Sequence, residues 1–406
     1  MTDSNTLIDV KELLAKYDLD QHIARADAYF ARFDAANSVC RKPFASIAEA
    51  SNLISGLGSV LHGLELFEGA RVVDFGCGLG WLSFALADLG CEVIGVDASQ
   101  NALALARELG ARRFPPPPSP PRFLAFDGRR FDLPDGSVDR IVTFDALHHL
   151  PEHAAILAEM HRLLKDDGIA AFHEPGPGHS LSPQSQAEMR DYEVIENDIV
   201  IEDLERQAQG AGFARMMVAY QGRIPFMVPV DRFNALLAGR DPALATEVIN
   251  ATNGENRNLR IFFLHKASAT RKDSRRPDGL AHHLTATGFR LGTGGRALEC
   301  DVVACNTGTA TWLASAHRTG AVNLGVHLLE QDGRMILRDY HRVHLFKAEV
   351  PPGAEITATA SIPLPGDRER GSYAFGLDLV SENVAWFGDL GSTALRVIPR
   401  FEADPE

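Results

Sequence analysis

The stretch VVDFGCGLGWLSFALADLGCEVIGVDAS, residues 72–99, decides the fold of this chain. An apolar run ends at Asp74, a loop with three glycines follows, and a helix-like segment leads to a second apolar run that ends at Asp97. Glycines let a backbone turn sharply and approach a ligand closely. A strand, a glycine loop and a helix in this order predict a ligand site at the carboxyl ends of parallel strands.

The spacing and charge of this loop separate the nucleotide classes. Gly76, Gly78 and Gly80 give G-x-G-x-G, and Trp81 stands where the dinucleotide motif G-x-G-x-x-G has its last glycine. Asp74 would repel a pyrophosphate, whereas S-adenosylmethionine carries a sulfonium and an ammonium that a carboxylate attracts. We therefore expect S-adenosylmethionine as the cofactor, and an NAD-dependent oxidoreductase is disfavoured.

Further acidic residues follow the predicted strands. Asp97 can accept hydrogen bonds from both ribose hydroxyls, Asp127 after the third strand is placed to meet the adenine amino group, and Asp145 follows the fourth strand. Single aspartates at such places are often ordinary capping or turn residues. An ordered set beside a glycine loop instead favours a cationic nucleoside.

The wider pattern predicts an α/β domain. Residues 6–66 have helical spacing, and residues 71–267 alternate short apolar runs with amphipathic segments, which is typical of a mainly parallel sheet with helices on both faces. We expect strands at residues 71–75, 92–96, 122–125, 140–144, 169–173, 214–219 and 260–265. We expect helices between these strands, for example at residues 79–89, 99–109 and 154–164.

These segments resemble the class I S-adenosylmethionine-dependent methyltransferases. Residues 72–99 resemble motif I and the acidic loop of that family, SVDRIVTFDALHHLP at residues 137–151 resembles the fourth-strand segment of its small-molecule branch, and residues 163–168 resemble the entry to the fifth strand. The resemblance spans about residues 45–267. It implies methyl transfer and a Rossmann-like, seven-stranded sheet whose last strand is antiparallel.

The resemblance also implies a set of cofactor contacts along the loop and the strand ends. These are Asp74, Phe75, Gly76, Cys77, Gly78, Trp81, Asp97, Ala98, Asp127, Gly128, Phe144 and Asp145. A proline-rich stretch at residues 115–121 departs from the usual short connection before the third strand.

Four residues are candidates for the general base that a hydroxyl acceptor would need. His148 and His149 follow the fourth strand, and Glu174 and His179 follow the fifth. For His149 a capping or core hydrogen bond is the simpler interpretation, and His148 is favoured to face the acceptor. Glu174 and His179 could bind a metal, but two ligands five residues apart are weak evidence, and no metal is predicted.

The chain beyond the α/β pattern has a different character. A basic, turn-rich segment near residues 270–279 precedes short β-like runs, which predict an all-β sandwich. We therefore expect an N-terminal helical cap, a methyltransferase domain, a linker and a β-sandwich domain at residues 1–45, 46–268, 269–281 and 282–402.

A second resemblance bears on the acceptor. Residues 174–190 together with the β-rich part resemble an uncharacterised bacterial methyltransferase type found with surface-polysaccharide genes, which implies a saccharide acceptor beside other small hydroxyl compounds. Trp312, Trp386 and Phe387 could stack on sugar rings, although core positions are the simpler interpretation. The domain could bind glycan, pack on the first domain, or join copies into a homo-oligomer.

Composition excludes several classes of function. A net charge of −14 disfavours nucleic acid and anionic membrane surfaces as partners. We find no leader and no apolar stretch of about 18 residues, so no transmembrane segment is expected. Five cysteines suggest neither a disulfide framework nor a zinc site. A cytoplasmic enzyme is predicted.

The alternative from another class is a binding protein. In it, a methyltransferase-like domain serves as a scaffold and the β-sandwich recognises a polysaccharide or an assembly partner. The intact glycine loop with Asp74 and Asp97 favours the enzyme.

Overall fold

The computed structural model describes residues 7–222, 224–268, 272–366, 368 and 372–399. The chain forms two compact units, Met1–Ala269 and Thr270–Glu406, and each contains its own hydrophobic core. The predicted domain boundaries after residues 45, 268 and 281 stay predictions.

The predicted linker, residues 269–281, lies partly outside the described residues. From Lys272 onwards it is bonded into the second unit. The backbone N–H of Ser274 donates to the carbonyl of Thr311 at 2.9 Å, and Leu280 is part of the core. The described part therefore differs from a free connection, because its backbone pairs with a neighbouring segment.

The first unit contains all seven predicted strands. They are β1 (Arg71–Phe75), β2 (Glu92–Asp97), β3 (Arg122–Ala125), β4 (Val138–Phe144), β5 (Leu164–Pro175), β6 (Arg215–Val218) and β7 (Leu259–His265). They form one sheet in the order β3-β2-β1-β4-β5-β7-β6. The pairs from β3 to β5 are parallel, and β7 is antiparallel to both of its neighbours. The predicted Rossmann-like sheet with an antiparallel last strand is confirmed.

Ten helices accompany these strands in the described part of the unit. They are α1 (Val10–Lys16), α2 (Leu19–Phe30), α3 (Ile47–Leu64), α4 (Trp81–Asp88), α5 (Gln100–Ala111), α6 (His153–Leu163), α7 (Pro183–Tyr192), α8 (Ile201–Gly210), α9 (Val230–Leu237) and α10 (Pro242–Asn258). The helical pattern at residues 6–66 corresponds to the first three, with residues 1–6 outside the described part. Helices α7 to α10 lie between β5 and β7, where helices were expected but no bounds were given.

Both faces of the sheet are covered. Val73 and Phe75 of β1 belong to one hydrophobic cluster, while Val72, which precedes them on the strand, belongs to another. Because successive side chains of a strand point to opposite faces, two clusters on one strand mean two packed layers. The central strand β4 is buried along its whole length, as expected for a parallel strand covered on both faces.

The second unit is built from strands. They are β8 (His282–Leu291), β9 (Ala297–Asn306), β10 (Val322–Glu330), β11 (Met335–Val343), β12 (Glu355–Pro363), β13 (Tyr373–Ser381), β14 (Ala385–Trp386) and β15 (Leu395–Val397). One sheet has the order β11-β10-β13-β14, with β15 also paired to β13, and a second has the order β12-β9-β8. Strands β8 and β14 were not predicted. The expected β-rich region is confirmed.

Aromatic residues of the second unit serve its core. Trp312 and Phe387 are fully buried, with ring centroids 5.7 Å apart, and both belong to the main cluster. Trp386 is partly exposed and covers Gly325, where an added Cβ would lie 2.3 Å from the indole. Trp312 and Phe387 are therefore core residues, which was the simpler interpretation of the sequence.

The cysteines and the helices agree with two further expectations. All five cysteines carry free thiols. Cys300 is buried and Cys305 is partly exposed, as expected for residues at an odd spacing on β9. Among the described residues, every helix is too short or too polar to cross a bilayer.

Candidate active site

The glycine loop joins the carboxyl end of β1 to α4. Gly76, Gly78 and Gly80 have φ angles of +69°, +49° and +79°, a region that residues with a side chain rarely adopt. A Cβ added to Gly76 would lie 2.3 Å from the Cβ of Ala146, just after β4. The loop therefore needs glycine both for its turn and for its approach to the neighbouring strand end.

A cavity of about 670 Å³ opens over this loop at the strand ends. Most of the predicted cofactor residues line it: Phe75, Gly76, Cys77, Gly78, Trp81, Asp97, Ala98, Gly128, Phe144 and Asp145. Its volume lies within the usual range of small-molecule sites, about 300–1,000 Å³. Asp74 and Asp127 do not line it.

Asp97 is fixed at the end of β2 by the backbone. Its Oδ2 accepts a hydrogen bond from the N–H of Gly78 at 2.8 Å, and its Oδ1 accepts one from the N–H of Ser99 at 2.8 Å. Each carboxylate oxygen keeps a second lone pair that can accept from a ligand. Burial raises the pKa of Asp97 above its ordinary value. This geometry suits the predicted contact with a ribose diol.

Asp145 places a second carboxylate on the cavity wall. Its φ of +51° turns the chain directly after β4, and its Oδ1 accepts a hydrogen bond from Nδ1 of His173 at 2.8 Å. Burial opposes ionisation, but His173 and more distant cations outweigh it and hold the pKa of Asp145 at about 2. A lasting negative charge here fits a cationic cofactor. The sequence analysis did not assign His173 to the site.

Asp127 does not line the cavity that its two neighbours line. Phe126 and Gly128 line the cavity, whereas the exposed carboxylate of Asp127 accepts hydrogen bonds from the N–H groups of Arg129 and Arg130 at 2.8 and 3.0 Å. Its contact with adenine stays a prediction.

Asp74 lies behind the glycine loop rather than on an acidic rim. Only 2% of the residue is exposed, and its Oδ2 accepts a hydrogen bond from the hydroxyl of Ser83 on α4 at 2.6 Å. Burial raises the pKa of Asp74 to about 7. The expected direct contact with the cofactor is thus not what the structure shows, because the apolar surroundings of β1 enclose this carboxyl.

The raised pKa of Asp74 gives a stability prediction. The folded protein keeps this proton where the unfolded chain releases it, so the contribution of Asp74 to stability falls as the pH rises from about 4 to about 7. Asp74→Asn removes this titration. Over that pH range the free energy of unfolding of the variant should rise relative to the wild type by a few kcal/mol, at about 1.4 kcal/mol per pKa unit. Calorimetric melting at several pH values measures this. A difference in stability between Asp74→Asn and the wild type that does not change with pH would contradict the prediction. Asp166→Asn, at an exposed site, is the control.

The four predicted base candidates lie close together but have different surroundings. Glu174 is fully buried; its carboxylate accepts hydrogen bonds from the backbone N–H groups of Ala146 and Leu147 at 3.1 and 2.8 Å. It also accepts one from Nδ1 of His148 at 2.7 Å. Burial disfavours charge on His148, but Glu174 and other carboxylates raise its pKa. Glu174 therefore positions the segment after β4.

His149, rather than His148, lines the cavity. Its Nδ1 donates to the carbonyl of Ile195 at 2.8 Å, which leaves Nε2 with the lone pair when the ring is neutral. Burial, and next the charge of His148, lower the pKa of His149. The expectation that His148 faces the acceptor is corrected, because its hydrogen bond to Glu174 turns its ring into the protein.

Glu196 is a site residue that the sequence analysis missed. It lies in the extended segment after α7, is 2% exposed, and accepts a hydrogen bond from Nε2 of His179 at 2.8 Å. Burial opposes its charge, but His179 and other histidines outweigh it and hold the pKa of Glu196 at about 2. His179 does not line the cavity. The polar character of residues 173–198 was the available signal.

The predicted helical cap forms the wall opposite the glycine loop. Tyr29, Phe30 and Phe33 from α2 and its C-terminal end line the cavity. Asp27 ties α2 to the start of α5, because its carboxylate accepts hydrogen bonds from the hydroxyl of Ser99 at 2.7 Å and from the N–H of Asn101 at 2.9 Å.

The first two helices are also tied to the segment after α7. The carboxylate of Glu193 accepts hydrogen bonds from Nζ of Lys16 at 2.7 Å and from the hydroxyl of Tyr17 at 2.6 Å. The Nε of Arg25 donates to it at 3.2 Å. These bonds connect the cap to the segment that carries Glu196.

Comparison with known proteins agrees with this geometry. Residues 73–172 match the family model described as a methyltransferase domain. A 2-methyl-6-phytyl-1,4-hydroquinone methyltransferase from Synechocystis sp. is 35% identical over 102 residues, which cover 25% of this chain and 30% of the relative. A ubiquinone biosynthesis O-methyltransferase from Paracidovorax citrulli is 31% identical over 112 residues, or 28% of this chain and 46% of the relative.

A third relative is the protein of Mycolicibacterium smegmatis named "Probable S-adenosylmethionine-dependent methyltransferase". It is 29% identical over 167 residues, which cover 38% of this chain and 62% of the relative. The chain thus spans about a third to two thirds of the length of these relatives. The matched segment contains the glycine loop, Asp97, Asp145 and His149. The comparisons thus indicate a methyltransferase domain at residues 73–172, with S-adenosylmethionine as its cofactor.

Proposed function

We propose that this protein transfers a methyl group from S-adenosylmethionine to a hydroxyl of a small acceptor bound in the cavity. The observation that carries the proposal is one chamber lined both by the glycine loop and by His149, whose Nε2 keeps the lone pair when the ring is neutral. S-adenosylmethionine supplies an electrophilic methyl group on its sulfonium. The protein holds and aligns the two reactants, which is the main task in such a displacement.

The cofactor half of the chamber is the acidic side. Asp97 accepts hydrogen bonds from the ribose hydroxyls, and the anionic Asp145 attracts the positive charge of the amino-acid part. Gly76 and Gly78 let the backbone approach the ligand without side chains in between. We assign Trp81 and Phe144, whose rings meet edge to face at 5.2 Å, to the wall between the two halves.

The acceptor half is mostly apolar. Ile23, Tyr29, Phe30 and Phe33 line it from the cap, and His149 stands among them as the group that takes the hydroxyl proton. Two relatives are named for a hydroquinone and for O-methylation in ubiquinone biosynthesis, which supports a hydroxylated ring as acceptor. A saccharide, the other predicted acceptor, would use the same aromatic side chains by stacking.

The second unit is proposed to be the predicted β-sandwich. One core cluster takes side chains from both of its sheets, for example Val302 of β9 and Leu377 of β13. Binding of a glycan or self-association into a homo-oligomer is its proposed role. Five free thiols support a reducing, cytoplasmic location. A scaffold with a glycan-binding β-sandwich is the competing function.

Calorimetric titration with S-adenosylmethionine, with NAD as control, tests the cofactor. Transfer of a labelled methyl group to a catechol panel and to a panel of free sugars then tests the acceptor class. The proposal is supported if S-adenosylmethionine binds saturably while NAD does not, and if catechols receive the labelled methyl group. Labelled sugars would shift the acceptor to the saccharide class. Absence of cofactor binding would favour the scaffold.

A further inference from the structure

Three side chains behind the acceptor half of the cavity are arranged as a metal site. His148, His149 and Glu196 each offer a ligand atom, and these atoms all lie within 4.8 Å of one another. We infer that they bind a divalent transition-metal cation of the zinc type through two imidazole nitrogens and one carboxylate oxygen. This set goes beyond the sequence prediction, which named no metal and considered only Glu174 with His179.

The two histidines are prepared as ligands by their other contacts. Nδ1 of His148 donates to Glu174 at 2.7 Å, and Nδ1 of His149 donates to the carbonyl of Ile195 at 2.8 Å. Since carboxylate and carbonyl oxygens only accept, each ring keeps its lone pair on Nε2. Metal-binding histidines characteristically make this second hydrogen bond, which fixes both the tautomer and the ring.

Glu196 provides an independent second observation. Its Oε2 accepts a hydrogen bond from His179, but its buried Oε1 has no hydrogen-bond partner among the described residues. The lone-pair nitrogen Nε2 of His148 lies 4.0 Å from Oε2 of the same carboxylate. A buried carboxylate oxygen without a donor is costly, and a cation bound there would satisfy it.

The charges in this region also favour a divalent cation. Glu174 and Glu196 are both almost completely buried, and the carboxyl of Glu188 lines the cavity beside them. Buried carboxylates need positive partners. One divalent cation compensates two of them without requiring protonated histidines.

The donor set selects the class of metal. Two imidazoles with one carboxylate are the protein ligands of many catalytic zinc sites, in which a further position stays open for water or substrate. Mg²⁺ and Ca²⁺ prefer all-oxygen sites. Bond lengths of about 2.0–2.2 Å require these ligand atoms, which lie within 4.8 Å of one another, to move closer together when the cation binds.

The open position would face the acceptor, because His149 lines the cavity. This consequence rests on the proposed function: a hydroxyl bound to the cation has a lowered pKa and gives up its proton more readily. The cation would then take over the role assigned to the free His149 ring. The outer partners Glu174 and His179 would hold the ligands in place.

The test uses the full-length protein, first dialysed against a chelator. Titration with Co²⁺, followed by its visible absorption, and with Zn²⁺, followed by calorimetry, should show one saturable site. Glu196→Gln should abolish this site, and His179→Ala, which removes an outer partner, should weaken it about 10- to 100-fold. His62→Ala, at an exposed histidine on α3, should bind like the wild type.

Each outcome separates the metal site from the proposed function, because every variant is also titrated with S-adenosylmethionine. This second titration verifies that Glu196→Gln is folded. Protein that binds S-adenosylmethionine but takes up no stoichiometric cation overturns the metal site alone. Equal cation affinity in Glu196→Gln and wild type also overturns it. A cation bound by a protein that ignores S-adenosylmethionine overturns the proposed function and leaves the metal site intact.

Discussion

Asp97→Ala should weaken the binding of S-adenosylmethionine by about 1–3 kcal/mol, because ligand hydroxyls lose the acceptor that they require in a buried site. The effect should lie at the upper end of this range. The same carboxylate accepts the N–H groups of Gly78 and Ser99, so its removal also loosens the glycine loop and the start of α5. Calorimetric titration of the purified variant measures the change.

A matched control separates this effect from a general loss of acidic charge. Asp166 is an exposed acid near the amino end of β5, at the opposite end of the strand from the cavity. Asp166→Ala should bind the cofactor like the wild type. Wild-type affinity in a folded Asp97→Ala variant would remove Asp97 from the ribose site.

His149→Gln should reduce turnover about 10²- to 10⁴-fold, the usual contribution of a positioned acid or base. Glutamine keeps a polar side chain of similar length but cannot take a proton from the acceptor. The affinity for S-adenosylmethionine should change little, because Asp97, the proposed acceptor of the ribose hydrogen bonds, stands at the end of β2, whereas His149 follows β4. A methyl-transfer assay at saturating cofactor measures the loss.

The comparison with His62→Gln, an exposed histidine, shows whether the loss belongs to the cavity. Equal turnover in His149→Gln and wild type would exclude His149 as the base and as a ligand of a catalytic cation. A loss confined to cofactor affinity would instead place His149 in the cofactor half.

The sequence predicted the sheet because its signals are local. Each strand of the first unit is a short apolar run, and the glycine loop with Asp97 forms a continuous motif, so order and connection could be inferred together. The bounds of α9 and α10 could not be predicted, because these two helices bury almost no apolar stripe. In β8 the burial alternates only in its first half, which weakens the strand pattern.

The site was predicted less completely because its decisive pairs are distant in sequence. Asp145 and His173 are 28 residues apart, and His179 and Glu196 are 17 apart, and only the fold brings them within hydrogen-bond distance. The position of Asp74 could not be inferred either. A motif specifies that an acid follows the strand, but the packing of Ser83 and α4 decides whether that acid reaches the ligand.

The wall formed by α2 lies outside residues 73–172, the segment that matches the methyltransferase family model. Residues 73–172 include the cofactor side of the chamber, whereas Tyr29, Phe30 and Phe33 come from the cap. In the proposed function, the aromatic wall of the acceptor half comes from the cap, whereas the base His149 lies within the matched segment. We therefore expect proteins that share this segment but differ in their first 45 residues to differ in their acceptors. Grafting this cap onto a related core should then shift its acceptor preference.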